Sequence, residues 1–196
     1  MRKPIAFWPR NEAGGPERRG GFISTRRALS SRSLALIFAL ALGASAAHLS
    51  AQEVALPLGT QAPAADLEDL DGNAVQILAY VEEGKPTLLE FWASWCEQCE
   101  ALQPQMDEIQ ARFGSEVSVI AVAVAVSQTP RRVKRTVEEH GHAYPFLWDG
   151  SGNAVRNYQV PTTSVVIILD GAGKVAYTGS GGGQDLVGAV EALLGG

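Results

Sequence analysis

Cys96 and Cys99 are the only two cysteines in a chain of 196 residues. On a helix, a separation of three puts both sulfurs on one face, close enough for an intramolecular disulfide. Before them, Thr87 to Trp92 is an apolar run that reads as a buried strand, interrupted by Glu90. After them, Leu102, Met106, Ile109 and Phe113 recur at helical spacing, which predicts a helix over 100–113 closed by Gly114. Strand, short loop and Cys-x-x-Cys at a helix start form an arrangement that can make and break a disulfide. At the helix start, unpaired N–H groups and the positive dipole end favour a thiolate, so Cys96 is expected to attack. Cys99, one turn deeper, is expected to resolve the mixed disulfide.

Other side chains bear on that pair. Glu97 and Glu100 flank it, and their charge opposes a thiolate at Cys96. That would favour the disulfide form and make the chain a better reductant than oxidant. Equally, acidic residues settle at helix N-termini for capping and dipole reasons alone. His140 and His142 fall at a helix end and in a loop, and their i, i+2 spacing puts them off a common helix face, so both are expected to be solvated. Two cysteines are too few for a multi-disulfide scaffold or a four-cysteine zinc site. No metal and no cofactor are expected.

The elements that must position these residues read as follows. Residues 1–51 carry eight Lys/Arg and two Asp/Glu, and include the uncharged apolar run from Ser33 to Ala47. Small residues for cleavage follow at Ala44-Ser45-Ala46 and Leu49-Ser50-Ala51. This is the pattern of an export signal, or of an N-terminal membrane anchor if uncleaved. Residues 52–62 read as a linker and 63–196 as one domain. From residue 52 onward there are eight Lys/Arg against nineteen Asp/Glu, a net charge of −11. A surface that acidic argues against nucleic acid as a partner.

Within the domain, Leu67, Leu70, Val75 and Ile77 alternate around Asp71-Gly72, which predicts an N-terminal hairpin. Val117 to Val126 is the continuous apolar run of a central strand buried on both faces. A polar helix is expected over 130–140, begun by Thr129-Pro130. A short strand over 144–148, a short helix over 153–158, a hairpin of 163–169 with 174–178, and a closing helix marked by Leu186 to Leu194 complete the order. A parallel β-α-β start followed by an antiparallel hairpin implies an α/β architecture, a mixed central sheet with helices on both faces.

Phe91-Trp92-Ala93-Ser94-Trp95-Cys96-Glu97-Gln98-Cys99 resembles the active-site segment of the thioredoxin superfamily, and Val160-Pro161-Thr162-Thr163 resembles its cis-proline loop. With the hairpin, the central insertion and the leader, the domain is similar to the TlpA/ResA-type exported thiol-disulfide oxidoreductases. The resemblance implies a thioredoxin-like fold with an N-terminal β-hairpin extension, and a protein-disulfide reductase working in the periplasm as a monomer. It implies that Glu90, lying beneath the second cysteine, takes the proton from Cys99. It implies that Pro161 follows a cis bond, that Val160 offers both N–H and C=O to an extended substrate, and that Trp95 and Thr162 help to bind it. The implied partners are disulfide-containing exported proteins, apocytochrome c or copper-site proteins among them, and a membrane thiol protein that donates electrons. Glu97-Gln98 departs from the proline that the family often carries first between its cysteines. Two other readings remain open: a thiol peroxidase on the same fold, against which Ala93 stands where such enzymes place threonine, and a metal-carrying thiol module.

Overall fold

The computed structural model describes residues 54–195. The expected leader over 1–51 lies outside them. Seven strands and four α-helices follow one another: β1 (Asp66–Asp69), β2 (Ala74–Gln76), a 3-10 turn (Ile77–Tyr80), β3 (Thr87–Trp92), α1 (Glu97–Phe113), β4 (Ser118–Val124), α2 (Pro130–His140), β5 (Phe146–Asp149), α3 (Asn153–Asn157), β6 (Val165–Leu169), β7 (Val175–Gly179) and α4 (Leu186–Leu194).

The strands form a single mixed sheet in the order β2-β1-β5-β4-β3-β6-β7. β3, β4 and β5 run parallel, and β6 and β7 add antiparallel on the β3 side. The N-terminal hairpin joins at the opposite side, through β1 on β5. The two central strands are the apolar runs of the sequence. Every residue of β3 is buried, and so is every residue of β4 after Ser118. Strands that lie under helices on both faces have no solvent side to make polar.

Register decides what surrounds Glu90, the ionisable side chain of these two central strands. Glu90 pairs with Ala121 on β4, and Ala121 pairs with Phe146 on β5. Residues so aligned share a face, so Glu90 looks across the small Ala121 toward Phe146 and, two residues back, Tyr144. Gln103 of α1 bonds the Tyr144 hydroxyl, so α1 covers this face. Phe91 points the other way and packs its ring against Tyr158, just after α3, with centroids 5.9 Å apart. Helices thus cover both faces, as the sequence implies. Cys99, Leu102, Met106 and Ile109 form the buried stripe of α1, and α4 packs beside it.

Candidate active site

α1 begins at Glu97, one turn earlier than its apolar spacing indicates, because Cys96 is itself the N-cap. Cys96 has an extended backbone (φ −91°, ψ 100°), and its Sγ accepts from the Cys99 N–H at 3.1 Å. A sulfur here takes the capping place that Ser, Thr or Asp holds elsewhere, as a weaker acceptor for an orphan N–H group. Cys96 and Cys99 are joined as a disulfide, with Cα atoms 5.3 Å apart. Their exposure differs: Cys96 keeps 8 % and Cys99 none.

The loop ahead of the cysteines is fixed from the side. The Ser94 N–H donates to the Gln128 side chain at 2.9 Å, and Gln128 in turn donates to the Val124 carbonyl. The Trp95 indole N–H donates to the Val126 carbonyl at 2.8 Å. The segment between β4 and α2 therefore holds the active-site loop, a role that nothing local in its sequence announces. The other side is held by Gln98, whose side-chain oxygen accepts from the Gly182 N–H at 2.8 Å. Gly182 fits only as glycine: a Cβ there would lie 2.7 Å from that of Ala101.

Two clefts open beside this loop, and Trp95, 41 % exposed, lines both. One, of about 290 Å³, is apolar and brings Trp95 together with Val124, Val126, Val155 and the Val160-Pro161-Thr162-Thr163 loop. Trp95, Val160, Pro161 and Thr162 line this one cleft, with the exposed Val126 beside them. One expectation is corrected. The Val160 N–H donates to the Val155 carbonyl at 2.9 Å, because Gln159, at φ 55°, turns the chain back over the end of α3. Val160 has only its carbonyl to offer an incoming strand.

The second cleft, of about 240 Å³, is polar and reaches Cys96 directly. Its walls include Glu97, Glu100, Gln103, Thr136, His140 and His142, and among the described residues no lysine or arginine. The histidines are not both solvated. Gly141 takes a left-handed conformation (φ 69°) that ends α2 and folds His142 back onto His140, with parallel rings 5.6 Å apart. The His142 side chain is only 6 % exposed. It stacks on Tyr144 and Phe146 and meets the Gln103 amide at 3.1 Å. Among the described residues, no three His, Cys, Asp or Glu side chains are grouped to hold a metal ion.

Glu90 is fully buried and neither carboxylate oxygen has a hydrogen-bond partner. Burial without a compensating donor pushes its acid up from 4.5 to about 8. At neutral pH it is chiefly a protonated acid beneath α1, able to exchange a proton near the working range.

Known proteins resemble this chain in sequence and fold. The sequence profile described as the AhpC/TSA family matches residues 58–178. The thiol-disulfide oxidoreductase ResA of Bacillus thuringiensis subsp. konkukian is 28% identical over 124 residues, covering 63% of this chain and 70% of the relative. The thioredoxin-like protein YneN of Bacillus subtilis is 30% identical over 128 residues, covering 64% and 73%. Among solved structures, a Chlorobium tepidum protein assigned as the thiol:disulfide interchange protein DsbE superposes with a TM-score of 0.63 at 25% identity, covering 71% of this chain and 99% of that one.

Proposed function

Since this chain belongs to the AhpC/TSA family and is a thiol-disulfide oxidoreductase of thioredoxin-like fold, we propose that it works as a reductant of protein disulfides in the cell envelope. In this reading the Cys96 thiolate attacks the partner's disulfide and displaces one partner thiolate, giving a mixed disulfide. Cys99 then attacks Cys96, releases the second partner thiolate and closes the Cys96–Cys99 disulfide. Two electrons pass to the partner. The carboxylate form of Glu90, which balances the acid near pH 8, accepts the Cys99 proton and becomes the acid, a match to a thiol near ~8.5. The apolar cleft receives the partner's chain against Trp95 and Val126, with the Val160 carbonyl as acceptor. A membrane thiol protein restores the dithiol. The basic, then apolar, segment over 1–51 supports an envelope location, where apocytochrome c or copper-site proteins would be substrates.

The observation that carries the direction is the lining of the Cys96 cleft. Glu97 and Glu100 face it, and among the described residues no lysine or arginine does. The helix end alone stabilises a thiolate, and the two carboxylates oppose it, so the dithiol form gains less than in an oxidant. Equilibration with glutathione buffers tests this. The expected potential is below about −230 mV, more reducing than the oxidising members of the fold class. A potential near −120 mV would reverse the assigned direction.

The peroxidase alternative gains nothing from the site. Ala93 is 1 % exposed and has no hydroxyl to present three residues ahead of Cys96.

A further inference from the structure

Four of the eight Lys/Arg side chains in residues 52–196 fall within five positions, Arg131 to Arg135. Lys134 pairs with Asp71 at 2.6 Å. Arg131, Arg132 and Arg135 are exposed, and among the described residues none makes an ion pair or a side-chain hydrogen bond. Three unpaired cations on one turn of an otherwise acidic domain do nothing for the fold.

Their position relates them to the cysteines. Thr136 and His140, on the same helix, line the Cys96 cleft. Arg132 lies one turn back on that stripe, about 6 Å further along the axis at helical rise. Arg131 and Arg135 occupy the same turn. The segment leading into the helix holds Ser94 and Trp95 through Gln128 and Val126. α2 therefore runs along the rim of the active-site opening, which Thr136 and His140 line and to which the segment leading into the helix is bonded, with its arginines about one turn beyond that lining.

We propose that Arg131, Arg132 and Arg135 form a docking site for an acidic segment of the partner protein, next in sequence to its disulfide. The inference rests on the disulfide-exchange reading above and adds which partners are taken. An acidic partner is repelled by a domain whose net charge is −11 and attracted at the arginine cluster in the first turns of α2, ahead of Glu138 and Glu139 on the same helix, so the field favours an encounter beside the Cys96 opening. An anionic lipid surface fits less well. Laid on α2 it would also meet Glu97 and Glu100, and it would cover the opening through which Cys96 must be reached.

The test uses two synthetic peptides, each with one internal disulfide. In one, four glutamates begin three residues from the cystine, a reach of about 10 Å in extended chain. In the other, four glutamines replace them. Pre-reduced protein is mixed with each peptide, and release of peptide thiol is followed at low salt. The expected result is that the glutamate peptide is reduced about threefold faster or more, the low end of what three exposed ion pairs contribute. The triple variant Arg131→Gln, Arg132→Gln, Arg135→Gln should lose that preference and reduce the glutamine peptide at the original rate. High salt should erase the preference in the unmodified protein. Equal rates for both peptides in the unmodified protein, or a preference that survives the triple variant, overturn the docking site. Failure to reduce either peptide counts against the disulfide-reducing activity instead. Phosphatidylglycerol vesicles form the second arm: arginine-dependent sedimentation together with equal peptide rates would overturn the proposal in favour of a lipid surface.

Discussion

Glu90→Gln isolates the buried carboxyl with a nearly isosteric change. Burial raises the Glu90 acid from 4.5 to about 8. In the unfolded chain it ionises near 4.5, so between those two values the folded state holds a proton that the unfolded state has lost. The unfolding free energy must then fall as pH rises, by about 1.4 kcal/mol per pH unit for one proton. The stabilising protonated form is fully present below 4.5, and the cost is complete above 8. From pH 5.5 to 7.5 the loss comes to about 3 kcal/mol. Glutamine cannot ionise, so this contribution vanishes. Its buried amide carries a desolvation cost of about 1–3 kcal/mol, but that cost is the same at every pH. Urea unfolding of both proteins at pH 5.5 and 7.5, with the disulfide intact, separates the two effects. Other titrating groups cancel in the comparison. The expected outcome is a variant whose stability falls less between the two pH values, by about 3 kcal/mol. A pH dependence identical in both proteins would mean that Glu90 is already ionised at pH 5.5, and the assignment of a buried carboxyl that exchanges a proton with Cys99 near pH 8 would fall with it.

Two further outcomes follow from the site. Cys99→Ser should leave Cys96 trapped in mixed disulfides with exported proteins, recoverable and identifiable by mass spectrometry. If Cys96→Ser gives the adducts instead, attacker and resolver are exchanged. Gly182→Ala drives a Cβ to 2.7 Å from that of Ala101 and should displace the loop that bonds Gln98. The expected loss is about 1–3 kcal/mol, read from thermal unfolding, and an unchanged melting temperature would show that the loop is loosely held.

Much of this site was legible because its signals are local. The apolar β3 and the Thr129-Pro130 start of α2 fall at the residues where the pattern puts them. Hydrophobic spacing places the start of α1 late because it begins only where the helix meets the core, and a cysteine cap carries no such signal. The i, i+2 spacing of the histidines assumes a continuing helix, whereas the left-handed Gly141 ends it and turns the His142 ring inward. Sequence leaves the Val160 N–H free for substrate because its acceptor, the Val155 carbonyl, depends on how α3 closes. The support from Gln128, Val126 and Gly182 crosses 31 to 84 residues of chain, and nothing short of the folded sheet brings those segments together.

The dipeptide between the cysteines divides in the structure. Glu97 faces the polar cleft with Cys96, where its charge acts on the thiolate. Gln98 turns to the opposite side and is occupied with the Gly182 N–H. Only the first of the two can tune the electrostatics of the attacking sulfur; the second fixes where the helix start stands. A substitution at Glu97 should therefore move the redox potential while leaving stability nearly unchanged, since the side chain is exposed and no ion pair among the described residues involves it. A substitution at Gln98 should do the reverse, by the ~1 kcal/mol of one neutral hydrogen bond. Glu97 and Gln98 thus act on different things, one on the charge beside Cys96 and one on the support beneath it.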